Sequence, residues 1–314
     1  LRKAWEIMRD KQIDTLPVTS ADNELEGVIT VKDIATANMD VFDTGILAKS
    51  RTSFRNILET LDGTMAVGSD FRRFKTQAGL EKGHRVMESV SPSPFDYRNN
   101  CLLYLPQIPP RQRVEDTDVY FNELTAELVG LIKAATGHAL VLFTSYAAMS
   151  AVKERLREES LPFPLLTLGR NAPHIIEQFR HTSGAVLLAT GAAWEGFDFP
   201  GDCVSLLIIP RLPFAYPDAR KERELEKYPS LHAFIREVAV PEMQIKLRQG
   251  FGRAIRTESD TCVIAILDER ACRGSRYAQA VSEALPEMRR TGSLREVTRF
   301  LREKKPESYF EVGR

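Results

Sequence analysis

Gln249, Gly250, Gly252, Arg253 and Arg256 form a compact Q-G-x-G-R-x-x-R run. Guanidinium is planar, permanently charged and shaped to meet phosphate oxygens as a fork. On a helix, residues three apart share a face, so the spacing predicts that Arg253 and Arg256 aim two guanidiniums at one target. Such a pair suits a transferring phosphoryl group, whose catalysis is mostly positioning and charge stabilisation. Gly250 and Gly252 would let a neighbouring backbone come close. A second polar cluster lies upstream: Trp194, Glu195, Gly196, Phe197 and Asp198. Its carboxylates, Glu195 and Asp198, could hold the arginines in register before a nucleotide arrives, because charge-assisted bonds are strong. The plainer alternatives are a solvated basic face for the arginines and a core plug for Trp194 and Phe197.

The elements that must position these residues read as an α/β fold, with short apolar runs alternating with helical patterns. Strands are expected at 102–105, 139–143, 165–168, 185–189, 204–209 and 261–267. Helices are expected at 121–135, 148–158, 173–180, 218–238 and 275–285, with a surface helix at 294–305. In open parallel sheets, functional residues gather at the carboxyl ends of strands. Thr144 and Ser145 follow one expected strand, Thr190 ends another, and Arg211 follows a third. Hydroxyls and an arginine suit phosphate contacts that position a nucleic acid without reading its sequence. A helix N-cap is the alternative for Thr144 and Ser145, and a surface charge for Arg211. The run 263–269 mimics a magnesium-binding strand ending in Asp268 and Glu269. Yet no G-x-x-x-x-G-K-[ST] loop occurs, and the run follows the arginines instead of preceding them. A local Asp268–Arg270 pair is expected there, and no metal site.

The 314 residues suggest about two domains, and lysine plus arginine equals aspartate plus glutamate at 43 each. That balance argues against a wholly basic nucleic-acid protein but allows a local basic groove. No apolar run suggests a membrane span. The four cysteines are scattered, without a C-x-x-C pair, so neither zinc nor a disulfide framework is indicated. Cys203 and Cys262 lie in strand-like runs and are expected to be buried. The chain reads as cytoplasmic and, starting at Leu1, as a fragment.

Residues 1–40 order as helix, strand, turn, strand, helix. Their L-P-V and G-V-I-T-x-x-D-I wording resembles one CBS repeat. The resemblance implies AMP or ATP binding, with Thr30 and Asp33 near its ribose and phosphates. A hydroxyl, a carboxylate and a helix N-terminus can together hold such a group. Residues 41–76 resemble the regulatory insert of CBS-containing manganese-dependent inorganic pyrophosphatases. The metal-binding residues of that enzyme have no counterpart here, so no pyrophosphatase activity is expected. The charged join near 70–90 leaves three origins open: a natural fusion, an engineered chimera or two joined reading frames.

From residue 77 to 290 the likeness is to another family. S-P-S-P-F at 91–95, V-L-F-T-S-Y at 141–146, W-E-G-F-D at 194–198, I-I-P-R-L-P-F at 208–214 and the run at 249–256 occur in the order of DinG-type helicases, relatives of XPD. The resemblance implies a RecA-like parallel sheet flanked by helices, preceded by a small α+β CBS-type segment, with residues 291–314 as a C-terminal helix and tail. It implies ATP-dependent 5′-to-3′ DNA unwinding. Arg253 and Arg256 would serve the ATP phosphates from the second motor lobe, with Gln249, Gly252, Glu195, Gly196 and Asp198 around them. Thr144, Ser145, Thr190 and Arg211 would face DNA, expected to be single-stranded. Mg2+ would be held by the N-terminal lobe, which carries the phosphate loop, so this chain alone is expected to be inactive. An adenine-nucleotide sensor and a catalytically silent single-strand-binding domain are the competing functions.

Overall fold

The computed structural model describes residues 15–19, 25–30, 93, 95–106, 117–169, 174–194, 197, 199, 201–215 and 219–311. The chain divides into two units, Leu1–Ser91 and Pro92–Arg314. In the first, β1 (Thr15–Thr19) and β2 (Leu25–Thr30) pair antiparallel, with Thr15 opposite Thr30 and an irregularity between Val18 and Thr19. These are the two strands expected there. Thr30 ends β2; Asp33 and the segment 41–76 lie outside the described residues.

The second unit opens with a single helical turn, α1 (Tyr97–Asn100), and β3 (Cys101–Tyr104). Then follow α2 (Thr117–Ala134), β4 (Ala139–Phe143), α3 (Tyr146–Glu158), β5 (Leu165–Thr167), α4 (His174–His181) and β6 (Val186–Thr190). After β7 (Leu206–Ile209) come α5 (Ala219–Leu225), α6 (Leu231–Phe234), α7 (Val240–Phe251) and β8 (Cys262–Ile266). The unit closes with α8 (Ala278–Ala284), β9 (Arg289–Thr291) and α9 (Leu294–Lys304). The seven strands run in the order β5-β6-β4-β7-β8-β3-β9, every pair parallel. This is the RecA-like arrangement expected.

Continuous apolar runs mark strands buried on both faces, and β4, β6, β7 and β8 are buried throughout. Leu142, Leu187, Leu207 and Ile264 point to one face, against Ile176 and Phe179 of α4, Met243 and Leu247 of α7, and Val281 of α8. Val141, Leu188, Ile208 and Val263 point to the other, against Leu128 of α2, Val152 of α3 and Phe300 of α9. The result is a three-layer sandwich.

Three elements differ from expectation. The stretch 218–238 is not one helix: Ser230 caps α6 by accepting from the Ala233 N–H at 3.1 Å, just after Pro229. A π-helical turn, Ile235–Ala239, then leads into α7. Pro241 has no N–H to donate and its ring crowds the preceding turn, which a widened turn accommodates. The strand β9 was not expected, because Arg-Arg-Thr carries no apolar pattern; it pairs with β3 at the sheet's edge. Helix α9 is more than a surface helix, since Val297, Phe300 and Leu301 are buried. Cys262 is buried as expected, whereas Cys203 is half-buried in a 3-10 turn instead of a strand.

At the amino edge of the sheet, His138 is buried and stacks on Tyr309 with ring centroids 4.2 Å apart. Its Nε2 accepts from the Gly184 N–H at 3.1 Å, and its Nδ1 faces the Ala135 carbonyl at 3.3 Å. That pairing needs the neutral ring with its proton on Nδ1. Burial is the main cause holding its pKa below the ordinary 6.5, while Asp202 pushes it up and Lys305 down. The unfolded chain therefore takes up this proton at higher pH than the folded chain does. The stabilisation is complete above 6.5 and is lost as pH falls from there through the lower folded value. The thermal midpoint is expected to drop as pH falls below about 6.5. His138→Asn should flatten that drop, since asparagine tolerates the positive φ of 42° at this position. An unchanged pH profile in the variant would assign the drop to other groups.

Candidate functional site

The neighbouring strands β6, β4 and β7 deliver their carboxyl ends to one edge of the sheet. Thr144 and Ser145 follow β4, and both are exposed. Ser145 is a helix cap: its Oγ accepts from the Ala148 N–H at 3.2 Å and starts α3. Its hydroxyl proton stays available to donate. Tyr146, next in the chain, is 42% exposed. Thr190 ends β6 opposite Phe143 and is only 6% exposed, so it sits beneath this edge. Gly191 then turns the chain with a φ of +61°, a conformation that favours glycine. Arg211 follows β7; it is exposed, with its guanidinium carbon 5.2 Å from the centre of the Tyr120 ring. The structure thus gathers Thr144, Ser145 and Arg211 at neighbouring strand ends.

Trp194 joins this edge to the arginine run. It is fully buried, and its indole N–H donates to the Phe143 carbonyl at 2.9 Å, at the very end of β4. On its other side lies Gly250 of α7. A Cβ at Gly250 would stand 2.8 Å from the Trp194 ring, closer than such atoms approach. The close approach expected of Gly250 is therefore real, although its neighbour is an indole and not a backbone. At Gly252 a Cβ would meet only carbonyl oxygens of its own helix at 3.5 Å, so no close approach is needed there. Trp194 is a core residue, as the plainer alternative had it. Glu195, Gly196 and Asp198 lie outside the described residues.

The arginines are not on a helix. Helix α7 ends at Phe251 with Gly252 as its C-cap, and Arg253 and Arg256 occupy the turn beyond. The i, i+3 helical argument for their shared direction therefore fails, and their placement comes from tertiary bonds. Arg253 donates through Nε to the Gln249 carbonyl at 3.3 Å and through Nη1 to the Phe197 carbonyl. It thereby spans from the end of α7 to the loop after Trp194. Arg256 is fixed through its backbone: its N–H donates to Asp260 Oδ2 at 2.7 Å, and the Thr257 N–H follows at 2.8 Å. Both arginines and Gln249 are half-buried.

Several supporting residues escaped the sequence reading. Asp260 closes the turn that carries Arg256; an aspartate in a T-E-S-D stretch is turn chemistry that could have signalled it. Arg248 donates to the Ala284 and Glu283 carbonyls at 3.0 and 3.2 Å, tying α7 to the carboxyl end of α8. Burial lowers its pKa. The expected Asp268–Arg270 pair is present at 2.6 Å. Among the described residues, no three His, Cys, Asp or Glu side chains cluster to hold a metal, and no helix is long and apolar enough to cross a membrane.

Comparison with known proteins adds to this geometry. Residues 128–288 match the family profile described as the helicase C-terminal domain, and residues 1–40 match the CBS domain profile. The ATP-dependent DNA helicase YoaA of Haemophilus influenzae is 34% identical over 252 residues, covering 77% of this chain and 37% of that protein. The 3'-5' exonuclease DinG of Staphylococcus saprophyticus is 27% identical over 269 residues, covering 84% of this chain and 29% of that protein. The chain thus spans about a third of the length of these curated relatives. A solved XPD helicase structure aligns at 16% identity with a TM-score of 0.46, covering 61% of this chain and 35% of that one.

Proposed function

The chain belongs to the helicase C-terminal domain family, and from that premise we propose that it is the second motor lobe of an ATP-dependent DNA helicase. The observation that carries this reading is the seating of Gly250 on Trp194. It couples the arginine run to the strand end that bears Thr144 and Ser145. A motor lobe needs such a coupling between nucleotide and DNA.

In this reading Arg253 and Arg256 stabilise charge on the ATP phosphates, with Gln249 beside them. Glu195, Gly196, Asp198 and Gly252 complete the nucleotide side. Two half-buried guanidiniums can do this without a proton transfer, since phosphoryl transfer asks mainly for positioning and charge. Thr144, Ser145 and Arg211 contact the backbone of single-stranded DNA, while Thr190 supports them from beneath. The sequence contains no G-x-x-x-x-G-K-[ST] loop. A separate lobe would therefore supply the phosphate cradle and hold Mg2+. The CBS match at residues 1–40 is consistent with a second ligand in this reading, AMP or ATP near Thr30 and Asp33.

The DNA half of this reading is testable on the chain by itself. Binding to a single-stranded oligonucleotide, followed by fluorescence anisotropy, should weaken steeply with salt as counterions return to the phosphates. ATP should leave it unchanged, and hydrolysis should stay at background with DNA present. Robust DNA-stimulated hydrolysis by the isolated chain, or no binding even at low salt, would count against it.

A further inference from the structure

Asp268 is a carboxylate with 2% exposure, two residues past the end of β8, and among the described residues it belongs to no cluster of three or more His, Cys, Asp or Glu. Its oxygens are taken up within the protein. Oδ2 accepts from the Leu212 N–H at 2.8 Å and from Arg270 Nη2 at 2.6 Å; Oδ1 accepts from the Arg270 N–H at 3.0 Å and Nε at 2.9 Å. Burial pushes this carboxyl up, but the Arg270 guanidinium and the two backbone donors outweigh it and hold it below the usual carboxylate range. The group stays charged.

What this anion grips is the loop after β7. Just before Arg211, the Ile209 carbonyl accepts from the Leu267 N–H at 3.0 Å. Just after it, Leu212 is held by Asp268. Two residues further, Phe214 lies under the Arg270 guanidinium at 5.3 Å and against Tyr277 at 4.8 Å. Arg211 is thus the exposed residue of a loop anchored on both sides. The Asp268 carboxylate is buried while the Arg270 guanidinium is 38% exposed, and a buried charge costs free energy that its partners must offset.

We propose that Asp268 and Arg270 are positioning residues that hold the Pro210–Arg211 loop so that Arg211 meets a DNA phosphate. This rests on the reading of Arg211 as a DNA contact. Neither Asp268 nor Arg270 touches DNA in it; both act through Arg211.

The test is the salt dependence of single-stranded oligodeoxythymidylate binding by the full chain. Arg211→Ala should reduce the slope of log K against log salt by about 0.7, the value of one phosphate on a single strand. Asp268→Ala should reduce it by the same amount, although residue 268 is buried. In the Arg211→Ala background it should cost nothing further. Arg270→Lys keeps a cation but loses the fork to Asp268 and the stack on Phe214, so its slope should fall between wild type and Arg211→Ala. If Asp268→Ala does not fold, Arg270→Ala, which leaves the Leu212 bond in place and removes the grip on Phe214, should show the same dependence on Arg211. A wild-type slope in whichever of these two variants folds, or a loss that adds to that of Arg211→Ala, overturns the positioning role. An unchanged slope in Arg211→Ala itself overturns the underlying reading instead.

Discussion

Arg253→Ala is expected to lower DNA-stimulated ATP hydrolysis by about 10³-fold or more once the chain works beside a lobe carrying a phosphate loop. That is about 4 kcal/mol of transition-state stabilisation. The size follows from where the guanidinium sits. It is half-buried and already oriented by the Gln249 and Phe197 carbonyls, so it needs no reorganisation when charge develops on the phosphate. The loss should fall on kcat more than on KM, because the interaction strengthens as the phosphoryl group moves. Arg253→Lys should recover little, since an ammonium cannot bond both carbonyls and a phosphate as a planar fork does. Single-strand binding should keep its wild-type salt slope in both variants, which separates a lost arginine from a damaged lobe. Hydrolysis within a few-fold of wild type would remove Arg253 from the phosphate site.

Trp194→Ala carries the largest expected cost to stability, about 3–5 kcal/mol for truncating a fully buried indole. The change also leaves the Phe143 carbonyl without its donor. Denaturant unfolding should show the loss as a lower midpoint with the slope unchanged. A coupling test makes this specific. Gly250→Ala should destabilise the wild-type chain by about 1–3 kcal/mol, because its methyl group would press on the ring. In the Trp194→Ala background that methyl group would enter the cavity, and the same substitution should become neutral or stabilising. Additive costs would show that the two residues do not share the contact that links the arginine run to the sheet.

Strands β4, β6, β7 and β8 are legible because each is a short, continuous apolar run. The strand expected at 139–143 matches β4 to the residue. What local pattern could not reveal was held by distant partners. Arg253 and Arg256 have helical spacing in the sequence, yet the helix ends at Phe251, before either of them. The carbonyls of Gln249 and Phe197 and the carboxylate of Asp260 are among the groups that then hold the turn. Asp268 and Arg270, two residues apart, were readable as a pair. The bond from Asp268 to Leu212 spans 56 residues and leaves no local trace. Trp194 is buried as a core plug would be, and it still links two parts of the candidate site. β9 was missed because an edge strand of arginines and threonine is held by β3 and not by its own pattern.

The most direct measurement is a titration. This chain is added to a purified lobe bearing the phosphate loop from one of the similar helicases, with ATP, Mg2+ and single-stranded DNA present, and phosphate release is followed. A second motor lobe should produce a saturable rise in rate that Arg253→Ala abolishes. A flat trace at chain concentrations that bind the DNA, or a rise that survives the loss of Arg253, would contradict the motor-lobe reading.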